Sequence, residues 1–203
     1  MQSELFSIEY PVERLWFDPS LLDQGVIFDG QECRLIFERL MNDIPWKNDT
    51  AFLYGRHITT KRKVAWFGDG DFSYNYSNTK RASLPWTPFL RELKRKVEAA
   101  CGYRYNSVLL NLYHDGSEGM GWHSDDEKGL GARPNIASLS FGATRRFDMR
   151  HKETKETVSL SLESGSLIVM SGASQSCWKH QVPKQLRIKE PRVNLTFRNF
   201  GVE

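Results

Sequence analysis

Chemistry in this sequence begins at His123-Ser124-Asp125, an imidazole and a carboxylate two positions apart. On an extended segment, side chains at i and i+2 leave the same face, so both groups can reach one ion. His180, in the strand-like stretch Trp178 to Val182, offers a third ligand. Two histidines and one carboxylate on one side of an ion, with open positions opposite, suit non-haem Fe(II) in oxygenases. Taken alone, an HxD pair reads more simply as two exposed polar residues in a turn, and a lone His180 says less still. His57, His114 and His151 read as surface or substrate-side groups.

A second constellation is Arg192-Val193-Asn194-Leu195-Thr196-Phe197-Arg198. Strand alternation puts Arg192, Asn194, Thr196 and Arg198 on one face and Val193, Leu195 and Phe197 on the other. Two arginines inside a late barrel strand need anionic partners. A small dicarboxylate supplies one at each end through charge-assisted hydrogen bonds. An exposed edge strand decorated with arginines would show the same alternation. Asn111 and Tyr113 form another i, i+2 pair just before the HxD. They can donate to the same ligand, or be the polar side of a half-buried strand.

These residues need a scaffold. Asp29 with Glu32 predicts a capped helix carrying Cys33, Ile36, Phe37, Leu40 and Met41 at helical spacing and ending at Pro45. Thr87-Pro88 starts a second helix, with Leu90, Leu93 and Val97 on one face, running to Gly102. Both apolar stripes read as sheet-packing faces. From Tyr105 the texture changes to short strands at 107–113, 136–141, 146–150, 157–162, 166–170 and 192–200, the pattern of a sandwich or jelly roll. Residues 51–83, rich in Gly, Asp, Lys and aromatics, read as hairpins and loops beside the barrel.

The 203 residues fit one domain, 39% of them hydrophobic, and a net charge of +3 permits a nucleic-acid partner without demanding one. Three cysteines with no CxxC argue against a disulfide framework and for a reducing cytoplasm. No apolar run approaches the roughly 18 residues of a membrane span, and the first ten residues lack the basic-then-apolar pattern of a signal peptide.

The order of these elements resembles the AlkB family of nucleic-acid dealkylating dioxygenases. The resemblance is carried by Asn111-Leu112-Tyr113-His114-Asp115-Gly116, His123-Ser124-Asp125-Asp126-Glu127, Ala137-Ser138-Leu139-Ser140-Phe141-Gly142, His180 and Pro191-Arg192-Val193-Asn194-Leu195-Thr196-Phe197-Arg198. It covers roughly Leu53 to Phe200 and looks closest to the branch that repairs methylated DNA bases. It implies a mainly β, α+β fold with a double-stranded β-helix (jelly-roll) core. The whole chain, 1–203, would be one dioxygenase domain. Within it, 1–50 is an N-terminal extension with one helix, 51–83 are nucleotide-recognition hairpins, 84–102 is a buttressing helix and 103–203 is the catalytic core. Fe(II) is expected at His123, Asp125 and His180, with 2-oxoglutarate and O2 as cosubstrates. Arg192 would grip the distal carboxylate with Tyr113 and Asn194, while Arg198 and Asn111 serve the metal-chelating end. The implied reaction removes the methyl group of 1-methyladenine or 3-methylcytosine as formaldehyde, with release of succinate and CO2. DNA is the leading partner. The same chemistry on RNA or a protein side chain, or a catalytically silent jelly-roll binding module, stays open. A monomer in the cytoplasm, or in the nucleus of a eukaryotic cell, is expected.

A base inside a duplex must leave the stack to reach such a site. Tyr54 and Gly55, followed by Arg56, His57 and Lys61-Arg62-Lys63, read as a hairpin whose tip fills the gap and whose cations meet phosphates, or as a solvated basic loop. Tyr74 and Tyr76 sit at alternate positions. Tyr76, by resemblance, is a stacking wall opposite His123, though a core-facing strand would look alike. Asp126 and Glu127, by resemblance, suit a cationic base, or else solvate a loop. Arg145-Arg146, Arg150-His151-Lys152 and Lys184 to Lys189 could add phosphate contacts or form solvated faces.

Overall fold

The polar and apolar faces of residues 192–198 are both covered by protein, and the architecture follows from how that is achieved. The computed structural model describes residues 14–15, 20–53, 56–70, 73–76 and 79–201. For 14–15, 51–53, 56–57, 73–76, 79–82 and 128 it describes the backbone alone. In chain order the elements begin β1 (Arg14–Leu15), β2 (Leu21–Val26), α1 (Gly30–Asp43), β3 (Lys47–Leu53), β4 (Arg56–Gly68), β5 (Ser73–Tyr76), β6 (Thr79–Ala82), β7 (Leu84–Pro85) and α2 (Pro88–Cys101). They continue with β8 (Ser107–Tyr113), β9 (Met120–His123), a 3-10 turn (Lys128–Leu130), β10 (Ile136–Gly142), β11 (Arg145–His151) and β12 (Thr157–Leu162). β13 (Ser166–Met170), α3 (Ser174–Cys177), β14 (Trp178–Val182) and β15 (Arg192–Arg198) complete the order.

Two antiparallel sheets carry the fold. The larger runs β1-β2-β13-β10-β15-β8-β4-β3, with β7 pairing β4. The smaller runs β12-β11-β14-β9, and β5-β6 form a separate hairpin. This is the expected jelly-roll arrangement. Val193, Leu195 and Phe197 of β15 join Leu139, Leu110 and Leu112 in a core packed against α1 and α2. Trp66, Ile136, Ile168 and Met170 point the other way, meeting Phe147, Met149, Leu160, Leu162 and Trp178 of the smaller sheet. β15 therefore lies mid-sheet between β10 and β8, with all seven residues buried, not at an exposed edge.

The helices form where their caps predict. Asp29 Oδ1 accepts from the Gln31 and Glu32 amides at 2.8 and 2.7 Å, and Glu32 Oε2 returns a bond to the Asp29 amide at 3.0 Å. Thr87 caps α2, which stops at Gly102 in the left-handed region (φ 77°). Two segments differ from the sequence expectation. Residues 56–68 form one 13-residue strand, paired to β8 from Lys63 to Gly68 and so built into the larger sheet. Its apolar run Val64–Phe67 is short, and the preceding lysines and arginine disguise it. Residues 21–26 also form a sheet strand, on β13, although they lack clean alternation. Among the described residues no helix is long and apolar enough to cross a membrane.

Phe197 is fully buried and meets the Tyr105 ring at 6.0 Å. Phe197→Ala should cost about 3–5 kcal/mol in urea denaturation. A loss below about 1 kcal/mol would show that the helix-side core does not anchor β15.

Candidate metal and cosubstrate site

The two histidines of the site face each other across neighbouring strands. His180 on β14 is in register with His123 on β9, the ring centroids lie 4.1 Å apart, and His180 stacks on Phe147 at 5.5 Å. Asp125 lies outside any strand, because β9 ends at His123. Strand alternation thus accounts for only half of the HxD geometry. The Asp125 carboxylate is held from the opposite sheet, where Arg198 Nη2 donates to its Oδ2 at 2.7 Å. One potential ligand atom from each of His123, Asp125 and His180 lies within 4.8 Å of the others.

The site holds its side chains in forms that can bind a metal. The Gly121 carbonyl can only accept, so the 2.8 Å contact puts the proton of a neutral His123 ring on Nδ1 and leaves Nε2 to bind a cation. Burial pulls His180 down to about 3, with His123 and Arg198 adding to the drop and Asp125 opposing it. Burial works against the Asp125 carboxylate, yet Arg198, His180 and His123 together hold its pKa below the ordinary value.

These three side chains line one cavity of about 130 Å³ with Asn111, Tyr113, Arg192, Asn194 and Arg198. The register places Asn194 opposite Asn111 and Arg192 opposite Tyr113 on adjacent strands. Arg192 is 1% exposed. Its Nη2 donates to Ser140 Oγ at 2.9 Å, but Nε and Nη1 have no partner among the described residues. Burial lowers its pKa to about 10, with Tyr113 opposing and Arg145 reinforcing. A buried guanidinium with two unbonded nitrogens is costly unless an anion completes it. The donor set of His, Asp and His fits Fe(II), and Arg192 fits a carboxylate of 2-oxoglutarate. Asn194 already has its amide engaged: Nδ2 donates to Ser138 Oγ at 2.8 Å, and Oδ1 accepts from Thr196 Oγ1 at 2.9 Å.

Other expected site residues are distributed differently. Glu127 lines the cavity, whereas Asp126 is exposed. Tyr54 and Gly55 lie outside the described residues. Arg56 opens β4, and Tyr74 and Tyr76 pair with Arg81 and Thr79 in the β5–β6 hairpin, with only their backbones described. Two cations read as phosphate contacts are interior groups instead. Arg62 forms a buried ion pair with Asp49 in the cavity wall. Burial disfavours its charge, but Tyr113 and Asp49 outweigh that and raise its pKa. Arg145 is 1% exposed and donates to the carbonyls of Glu118 at 2.8 Å, Pro183 at 2.9 Å and Asp115 at 3.2 Å. This knot ties the loop after β8 to the chain after β14. Gly116 permits the approach, since a Cβ there would sit 1.8 Å from the Gln185 carbonyl oxygen.

Asp49, Trp66, Gln175 and Phe200 escaped the sequence reading as site residues, and Arg62 reads there only as a hairpin cation. Arg62, Val64 and Trp66 alternate into the cavity, a signal available only once 56–68 is read as a strand. Trp66 meets Phe200 edge-on at 5.8 Å in the cavity wall.

The sequence matches the 2OG-Fe(II) oxygenase superfamily over residues 22–198. It is 43% identical over 180 residues to human alpha-ketoglutarate-dependent dioxygenase alkB homolog 3, covering 84% of this chain and 62% of that protein. It is 35% identical over 189 residues to mouse DNA oxidative demethylase ALKBH2, covering 88% of this chain and 79% of that protein. The chain thus spans about three fifths of the alkB homolog 3 relatives it matches. The solved structure of OsALKBH1 superposes with a TM-score of 0.67 at 17% identity, covering 91% of this chain and 99% of that one, a likeness of fold.

Below about pH 6.5 the unfolded chain protonates His180, whereas the folded chain resists until about pH 3. The metal-free protein should therefore lose stability as pH falls through this window, and Asp125 adds a loss of the same sign at lower pH. Urea midpoints should fall from pH 7 to 5 in the parent and change less in His180→Gln. Equal slopes would mean that His180 is not held neutral.

Proposed function

The chain belongs to the 2OG-Fe(II) oxygenase superfamily and, within it, to the AlkB homologues, and from that membership we propose that it oxidatively demethylates N-alkylated bases in DNA. The observation that carries this reading is one cavity lined both by His123, Asp125 and His180 and by the incompletely bonded Arg192. A silent binding module would have no use for that pairing.

His123 through Nε2, Asp125 and neutral His180 would hold the metal. Arg192 would take the distal carboxylate of 2-oxoglutarate beside Tyr113, with Asn194 shaping the strand face between them. Arg198, already fixed on Asp125, and Asn111 would orient the other end. Bound Fe(II) with O2 and 2-oxoglutarate supplies the oxidation of the N-methyl group, which leaves as formaldehyde while succinate and CO2 are released. The protein's work is positioning and water exclusion, with Trp66, Phe147 and Phe200 as apolar wall.

A methylated adenine or cytosine carries positive charge, and Glu127 gives the cavity a carboxylate that suits it. Tyr54, Gly55, Arg56, Tyr74 and Tyr76, on the two hairpins, would engage the flipped nucleotide and its strand, with Asp126 at the rim. The name DNA oxidative demethylase, borne by a 35%-identical relative, supports DNA over RNA. We read residues 1–203 as one dioxygenase domain, since the described strands interlock in two sheets, and as a monomer. Free Cys33, Cys101 and Cys177 fit a cytoplasmic or, in a eukaryotic cell, nuclear setting.

Oligonucleotides bearing 1-methyladenine or 3-methylcytosine should lose one methyl mass in a reaction requiring both Fe(II) and 2-oxoglutarate. Single-stranded DNA, duplex DNA and RNA would be compared by mass spectrometry; activity confined to RNA would overturn the DNA assignment, and none on any of them the substrate class. Asp125→Ala should abolish succinate formation while leaving oligonucleotide affinity within about twofold, as expected if the carboxylate binds metal and not the base. Arg192→Lys should raise the KM for 2-oxoglutarate about tenfold or more, because a point charge replaces a planar fork; an unchanged KM removes Arg192 from the cosubstrate site.

A further inference from the structure

Since β9 ends at His123, strand geometry does not place Asp125. Arg198 fixes its carboxylate, but the backbone beneath also needs an anchor, and that anchor comes from the segment leading into His180. The Gln175 side chain is 3% exposed and its Oε1 accepts from the Asp125 amide at 2.8 Å. One residue earlier, Ser124 Oγ donates to the Trp178 carbonyl at 2.9 Å. Two hydrogen bonds thus stitch the HxD segment to α3 and the start of β14, where His180 follows two residues after Trp178.

Gln175 is itself held. Its Nε2 donates to Ser174 Oγ at 3.1 Å and reaches Met170 Sδ at 3.5 Å, which orients the amide so that the oxygen faces Asp125. Its backbone carbonyl accepts from Lys152 Nζ at 2.8 Å, and the Lys152 amide donates to the Cys177 carbonyl at 2.7 Å. The four-residue α3 is too short to be rigid alone, and these bonds from the β11–β12 turn fasten it.

We propose that Gln175 is a positioning residue of the metal centre, its side-chain oxygen fixing the Asp125 backbone so that the carboxylate stands at a set distance from His180. The inference rests on the reading of Asp125 as a metal ligand. It explains a buried glutamine that stands outside the residues lining the cavity. A side chain that orients a ligand typically changes metal affinity about ten- to a hundredfold when lost.

The test compares the full-length protein with Gln175→Met, which keeps length and removes the amide oxygen, and Gln175→Glu, which keeps an acceptor oxygen. In the metal-free proteins, exchange of the Asp125 amide should be about tenfold faster in Gln175→Met and stay protected in Gln175→Glu. Co(II) titration, followed by its visible absorption, should show about ten- to a hundredfold weaker binding to Gln175→Met with a changed band shape. The KM for 2-oxoglutarate in the iron-loaded enzyme should stay within about twofold, because Arg192 is not disturbed. Co(II) affinity within twofold of the parent, or Asp125 exchange that rises only in step with global unfolding, would overturn the proposal. Should Gln175→Met fail to fold, Ser124→Ala removes the companion bond; unchanged Asp125 exchange and Co(II) affinity there would equally overturn the stitch. Asp125→Ala separates the two readings. If it keeps Co(II) affinity, the ligand assignment fails; if it loses affinity while the Gln175 variants keep theirs, only the stitch fails.

Discussion

The structure depends on β15, a strand that carries two arginines into the interior between two other strands. A guanidinium in low dielectric is tolerated only when charge and hydrogen bonds surround it. Arg198 meets this by bonding Asp125, whereas Arg192 is only partly satisfied by Ser140. The opposite face of the same strand supplies the compensation. Val193, Leu195 and Phe197, all fully buried against the helix-side core, hold β15 where its polar face would otherwise expel it. Pre-organisation at the site is therefore supported by hydrophobic burial one residue away along the same chain.

The two sheets divide the task. The larger supplies Asn111, Tyr113, Arg192, Asn194 and Arg198 from adjacent strands in fixed register. The smaller sheet and its extension supply His123, His180 and the segment bearing Asp125. The Arg198–Asp125 pair crosses between them, so the His123–Asp125–His180 cluster and the polar face of β15 share one hydrogen bond. Arg145 performs a related service outside the cavity, gathering the loop after β8 and the segment after β14 through three carbonyls. Arg145 can fasten three carbonyls because one planar fork serves several acceptors at once.

The jelly-roll class, both helices and most strand boundaries were legible in the sequence because caps and alternation are local signals. Asp29 with Glu32 and Thr87-Pro88 are examples, and the strands at 107–113, 157–162 and 166–170 coincide with the predicted spans. What was not legible depends on partners distant in sequence. Arg62 looks like a surface cation between two lysines, and only its placement against Asp49 makes it interior. Gln175 has no motif at all, since its significance is a bond to an amide 50 residues away. At Asp125 the expected arrangement was reached by another route: the HxD spacing implied a strand, but the second residue is positioned by side-chain bonds beyond the strand's end.

Charge balance in the cavity favours particular occupants. Arg62 is offset by Asp49 and Arg198 by Asp125, so these cations add little net field. Among the described residues Arg192 is offset by no carboxylate and keeps two nitrogens without partners. The uncompensated positive charge therefore lies at the far end of β15 from Asp125, where an anionic tail gains most. A divalent cation held by His123, Asp125 and His180 would meet one carboxylate and a His180 ring kept neutral by burial, and would attract the other end of a chelating dianion. Between these poles Trp66, Phe147, Met170 and Phe200 give the wall an apolar part, and Glu127 adds a carboxylate. On the proposed reading, a ligand negative at both ends and a base bearing positive charge would meet complementary charge in separate parts of one cavity.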